Sequence, residues 1–175
     1  VGGALTATAV TGNITDSGAL TIAGTSAFTT SADDATITLN TSTNAFTGAV
    51  TLTTNDGDGT AANVTIDGGT TALVIAASTV DGDLTLTSGN VAGITDTGTL
   101  TIGGNLSATT DDNAGVVTLD SLAVDGSIAL ATNSTGNATV SNDAGLIFAA
   151  STVGGTLSAT AVTGNITDSG ALTIA

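Results

Sequence analysis

Every side chain here that could do acid–base or metal chemistry is an aspartate: the chain holds 15 Asp, no Glu, and no Lys, Arg or His. Two places bring them into adjacent pairs, Asp33-Asp34 and Asp111-Asp112. Paired carboxylates serve as acid and base in glycoside hydrolysis, including in β-helical glycosidases. These two pairs fall at matching places in successive sequence units, whereas a catalytic pair is normally unique. No His, Lys, Arg or Tyr is present to act as partner acid or substrate clamp. The pairs therefore read as turn residues. The chain reads as non-enzymatic, with no catalytic residue and no required cofactor; a β-helix polysaccharide-degrading enzyme is the least favoured reading.

A second set of acids has the look of cation loops. Asn55-Asp56-Gly57-Asp58-Gly59 and Asp81-Gly82-Asp83 are rich in oxygen donors. Ca²⁺ takes six to eight oxygen ligands, and neither stretch carries a complete set of the D-x-D-x-D-G-x₅-E kind. In the second unit the first loop becomes Asn133-Ser134-Thr135-Gly136-Asn137. Weak Ca²⁺ sites at Asp56, Asp58, Asp81, Asp83, Asp33, Asp34, Asp111 and Asp112 are thus candidates set against solvated loops. Aspartates stacked one coil apart would repel by about 0.9 kcal/mol per pair in water, which a bound cation or salt relieves.

Charge excludes more than it assigns. A net charge of −15 without one cation leaves nothing to displace phosphate counterions, so nucleic acid is no partner. Anionic membranes repel such a chain, and its longest apolar runs, such as Ala72–Ala77, are too short to insert in a bilayer. Cysteine is absent, so no disulfide framework exists. Apolar residues still make up 41% and mean hydropathy is positive, enough to build a core from small side chains. The chain opens and closes inside a repeat and is expected to be an excerpt of a longer protein.

The elements that position these acids follow from a recurring motif, apolar-x-Gly-x-apolar. Its glycines fall at Gly3, Gly24, Gly48, Gly82, Gly104, Gly126 and Gly155, spaced by 21, 24, 34, 22, 22 and 29. That rhythm divides the chain into units 1–79 and 80–152 and a partial unit 153–175. After each glycine the sequence alternates with period two, as in Leu5-Thr6-Ala7-Thr8 and Leu84-Thr85-Leu86-Thr87, which argues for half-buried strands. Turn residues such as Asp16-Ser17-Gly18 separate them, and no helical period is present. Short strands at a fixed spacing predict an all-β parallel β-helix, a β-solenoid. We expect about three coils per unit and about seven in total, the long third coil carrying its surplus in a polar loop. Ala7, Ala9 and Ala27 suit a narrow interior, with Phe28, Phe46 and Phe148 as core fillers.

The largest repeat supports this. Val153–Ala175 matches Val1–Ala23 at 21 of 23 positions, offset by 152 residues, and Val80–Gly104 is a weaker copy. The strings Ser78–Leu84, Ile94–Ile102 and Asn44–Val50 give S-T-V-x-G-x-L, I-T-D-x-G-x-L-T-I and N-x-F-x-G-x-V. In these the chain resembles the repeats of the filamentous-haemagglutinin-like adhesins, very large bacterial β-strand-repeat exoproteins. That resemblance implies a right-handed β-helix, export across a Gram-negative envelope, and a surface, stalk or biofilm-matrix role.

The expected function is a non-enzymatic, extracellular structural segment of a filament or stalk, its partner being itself through end-to-end stacking and lateral bundling. The alternative is an adhesin passenger or a Thr face that binds ice or carbohydrate. Against the ice-binding form, Thr6/Thr8, Thr51/Thr53 and Thr85/Thr87 alternate with Ala27/Thr29, Ser107/Thr109 and Ala129/Ala131, a broken array. Sequons at Asn13, Asn40, Asn63, Asn105, Asn133, Asn137 and Asn165 are mostly what a Thr- and Asn-rich chain gives by chance.

Overall fold

A computed structural model describes residues 1–57, 62–111 and 114–175. Among them are 22 short strands and no helix, and all pairings between strands are parallel. One ten-stranded sheet contains Leu5–Ala9, Ser26–Thr30, Val50–Thr53, Leu73–Ile75, Ser78–Val80, Ile94–Asp96, Leu100–Ile102, Val117–Val124, Ala138–Asn142 and Leu157–Ala161. A second contains Ile14–Thr15, Ile37–Leu39, Val64–Asp67, Leu84–Ser88, Leu106–Thr110, Ile128–Ala131, Leu146–Phe148, Ser151–Val153, Ile166–Asp168 and Leu172–Ile174. Thr21–Ile22 and Ala45–Phe46 make a short third sheet. This is a β-solenoid of about seven turns. The first ladder takes seven steps from Leu5 to Ala159, 154 residues, or about 22 per turn.

The glycine motif exists because the corners stack. Gly24 N–H donates to Gly3 O at 3.1 Å, and Gly104 and Gly126 donate to Gly82 and Gly104 at 3.0 Å each. A Cβ on Gly48 would lie 2.5 Å from the Gly24 carbonyl, and one on Gly126 would lie 2.5 Å from the Gly104 oxygen. Only a residue without a side chain lets consecutive corners approach to strand spacing.

The motif does not keep to one side of the column. It opens strands of the first sheet at Leu5, Ser26 and Val50, then strands of the second sheet at Leu84, Leu106 and Ile128, and returns to the first at Leu157. The corner after Thr53 is lengthened, since Ile37 to Val64 spans 27 residues against 20 to 22 for the next three steps. The rest of the Gly48–Gly82 interval is an extra half turn, because Val50 is covered by Ile75 and Leu84 covers Val64. Each unit therefore winds three turns and about half of a fourth. The weaker copy at Val80–Gly104 sits rotated to the other sheet. Leu5 is carried to Ala159, two residues past its sequence counterpart Leu157; an even shift leaves inward residues facing inward.

The core is one continuous cluster built from in-register aliphatic columns. In the second sheet these are Ile37–Val64–Leu84–Leu106–Ile128 and Leu39–Ile66–Leu86–Ala108–Leu130, all buried. Phe28 and Phe46 meet edge to face with centroids 6.2 Å apart, and Phe148 is buried. Ala7 packs against the cluster, but Ala27 does not line the interior. Ser26, Phe28 and Thr30 face inward on that strand, so the period of two turns Ala27 outward.

Buried polar residues close the corners, a role the sequence alone did not disclose. Thr30, Thr110 and Thr132 hydroxyls donate to the Ala35, Gly115 and Gly136 carbonyls at 3.1, 2.9 and 2.6 Å. Ser78 and Ser151, both from S-T-V strings, each donate to the carbonyl two residues back and accept from Leu52 and Leu130 amides. Asn142 is buried; it accepts from Val124 N and donates to the carbonyls of Val124 and Gly145. Asn142→Leu should lower stability by about 2–3 kcal/mol, because those groups lose their partner inside the protein. Denaturant unfolding checks this, and a change under half a kcal/mol would be inconsistent with it.

Candidate functional site

Most of the described acids lie between strands, while Asp67, Asp96, Asp120 and Asp168 fall within them. Asp33, Asp34 and Asp56 come together, with a carboxylate oxygen from each lying within 4.8 Å of the others. Asp33 Oδ1 accepts from Gly57 N, Asp34 takes a φ of 61°, and Asp56 N donates to Asp81 Oδ2 at 3.0 Å. Asp81 N in turn donates to Thr54 Oγ1 at 3.1 Å, so this corner climbs from turn to turn by hydrogen bonds. Asp33, Asp34 and Asp56 are the residues that fit a divalent cation by donor type; further oxygens would have to come from water or backbone to reach a Ca²⁺ shell.

The remaining candidates part company. Asp83, at the far end of the same corner as Asp81, joins a different ladder: Asn63 Oδ1 accepts from Asp83 N at 2.7 Å and Asp83 Oδ1 accepts from Asn105 N at 2.7 Å. Asn105 Oδ1 then accepts from the backbone and hydroxyl of Ser127 at 2.9 and 2.8 Å. Asp81 and Asp83 thus serve different ladders rather than one loop site. Asp111 lies apart, its carbonyl accepting from Asn133 Nδ2 at 3.3 Å. Asp58 and Asp112 fall outside the described residues. Four of the sequon asparagines, Asn13, Asn63, Asn105 and Asn137, use their Oδ1 to accept from the next turn.

The acids of two of the three I-T-D strings, Asp16 and Asp96, share a task that the sequence did not reveal. Asp16 Oδ2 accepts from Thr41 N at 3.2 Å and Asn44 Nδ2 at 2.8 Å. Asp96 accepts from Asp120 N at 3.2 Å and Ser121 N at 2.9 Å. Each ties its turn to the next. Asp16 Oδ1 and Ser26 Oγ are buried without a hydrogen bond among the described residues.

Burial raises the Asp67 carboxyl above the ordinary range; the Gly69 N–H opposes this, while the charges of Asp111 and Asp16 add to it. Burial likewise raises Asp96, against hydrogen bonds from Asp120 and Ser121, with the Asp120 charge adding. A carboxyl with a raised folded pKa binds its proton more tightly folded than unfolded. Stability is then highest below the ordinary carboxylate range and declines as pH rises through the raised values. Self-repulsion of 15 anions acts in the same sense and is relieved by salt. Thermal melts at fixed ionic strength should give a higher Tm near the acid end of that window than at pH 7, with Asp96→Asn narrowing the difference. A Tm that climbs with pH would contradict it.

Two shallow grooves lie on the surface of the described residues. One of about 290 Å³ lies among Asp120, Ser121, Asp143 and Val162, and one of about 280 Å³ lies among Phe46, Thr71, Val74 and Asn90.

A parallel column whose turns are joined by glycine corners and by Asn, Ser, Thr and Asp ladders is a β-solenoid repeat protein. The chain belongs to the family described as repeats of unknown function (DUF5649), which it matches over residues 1–53, 61–134 and 135–175. No curated protein and no solved structure matches it.

Proposed function

We propose that this chain is a non-enzymatic structural segment of an extracellular filament or surface stalk, extended by stacking turns. In this reading it is part of an exoprotein like the filamentous-haemagglutinin-like adhesins, at the surface of a Gram-negative-type bacterium. One observation carries the reading. The sequence of Val1–Ala23 returns at Val153–Ala175 after about seven turns, opening on the same sheet with its inward face still inward. A unit that returns to the same sheet with an even, two-residue offset keeps its inward face inward and so lengthens a single column. Each 152-residue period would add about 34 Å at strand spacing. Divalent cations serve here as screening ions at acidic corners such as Asp33, Asp34 and Asp56, so millimolar Ca²⁺ promotes lateral bundling. Turbidity indifferent to Ca²⁺ and to a chelator would remove the cation part. Electron micrographs of the intact native material should show unbranched rods; compact particles would overturn the reading.

A second reading, a Thr face that binds ice or carbohydrate, draws on one feature. Thr8, Thr29, Thr53, Thr79 and Thr101 stack in register on five successive turns of the first sheet. The neighbouring column is interrupted at Ala27 between Thr6 and Thr51. Thermal hysteresis or glycan retention that disappears in Thr53→Lys would favour this reading over the first.

A further inference from the structure

The long strand Val117–Val124 takes one residue more than the strand stacked on it. Leu119 pairs with Val140 and Leu122 with Asn142, so three steps on one side meet two on the other. Such a bulge re-aims the side chains at the extra residue. Leu119 and Leu122 both stay buried, and the two residues between them, Asp120 and Ser121, both lie outside the core. Asp96 holds the bulge from the neighbouring turn, its carboxylate accepting from Asp120 N at 3.2 Å and Ser121 N at 2.9 Å. The hydroxyls of Thr99 and Ser121 meet at 3.1 Å. The groove of about 290 Å³ opens at this bulge. Leu122 and Val162 give it an apolar surface, and the exposed Asp120 and Asp143 add a carboxylate each from two successive turns.

We propose that this groove binds a lysine or arginine side chain from an extended, basic segment of a different protein. Charge selects the partner first. Two carboxylates on successive turns attract a cation, and this chain has no Lys, Arg or His to offer one, so a second copy does not fit. Shape selects next. Lysine and arginine lay their methylene stems on apolar surface, here Leu122 and Val162, and keep the charged head at a polar rim. The hydroxyls of Ser121 and Ser141 supply acceptors for the N–H groups that the carboxylates leave over. A groove of about 290 Å³ takes one such side chain with its own backbone, and no folded domain. The site goes beyond the filament reading, since the bulge presents it whether or not columns lengthen by stacking.

Amide shifts of the full-length chain test this at about 0.15 M salt, where diffuse attraction to the 15 anions is screened. A short glycine–serine peptide with one central arginine should shift Asp120, Ser121 and Ser141 above all other residues. Its citrulline counterpart, alike in shape but uncharged, should leave them in place. Asp120→Asn with Asp143→Asn should weaken the arginine peptide by about tenfold. Asp33→Asn with Asp34→Asn, an equal change of charge on another corner, should leave its affinity unaltered, and circular dichroism checks that both variants keep the β signal. Shifts spread over every acidic turn, equal losses in the two variants, or binding of the citrulline peptide would overturn the proposal. Spermidine matching the arginine peptide at the bulge would assign the groove to free amines and overturn the protein partner. Rods in native material without shifts at the bulge would refute this site and leave the filament reading standing; compact native material with those shifts would do the reverse.

Discussion

Gly93→Ala is expected to cost the column about 3 kcal/mol or more, near the upper end of single-substitution effects. Gly93 holds a φ of 66° in the turn closed by its N–H to Asn90 O at 2.8 Å. An L side chain there is strained by about 1 kcal/mol from the backbone alone. The Cβ would moreover overlap the Val116 carbonyl, backbone that cannot swing aside. That carbonyl is engaged, accepting from Ile94 N at 2.9 Å, while Gly93 O accepts from Leu73 N at 2.9 Å. Moving either strand breaks rungs on both sides of the turn. Gly18→Ala is the control: a Cβ there meets nothing within 4 Å, so the change should stay within about 0.5 kcal/mol. Urea unfolding of the two variants checks the contrast, and equal midpoints would refute it.

Leu86→Ala is expected to destabilise by about 3 kcal/mol, within the range for buried leucines. Leu86 sits in mid-column between Ile66 and Ala108, fully buried. Ala108 is already small, so neighbours have little volume with which to fill the gap. In a column where turns touch only adjacent turns, the damage stays local and weakens the link between the halves. Hydrogen exchange should then show residues before and after the Val64–Ser88 region opening with separate free energies, while the outward Thr85→Ala leaves a single cooperative pattern. Unchanged cooperativity with a loss below about 1 kcal/mol would tell against the continuous core.

The alternation of Leu84-Thr85-Leu86-Thr87 was enough to foresee half-buried strands, and the recurring glycine motif enough to foresee stacked coils of about 22 residues. The face on which each motif lies was not legible. A 34-residue interval reads equally well as one long coil or as one turn and a half, and only pairing tells them apart: Ile75 covers Val50, while Leu84 covers Val64. Corner length is also free to vary, since a residue added outside the ladder costs little loop entropy. Buried polar closures such as Ser78 and Asn142 hid among many exposed Ser and Asn; their one trace was the recurrence of S-T-V at Ser78 and Ser151. Of the acidic candidates, Asp33, Asp34 and Asp56 converge although 22 residues separate Asp34 from Asp56, because one coil brings them level. Asp81 and Asp83 diverge although two apart, because Asp81 follows the Ser78–Val80 strand and Asp83 precedes the Leu84–Ser88 strand, at opposite ends of one corner.

A filament built this way stands or falls with the parallel stacking of its turns. Spin labels at Thr6→Cys and Thr160→Cys, both at outward, exposed positions in the first sheet, measure that stacking directly. Seven steps at strand spacing place them about 34 Å apart in one narrow distribution. A separation below about 20 Å, as antiparallel hairpins folding the ends together would give, contradicts the column.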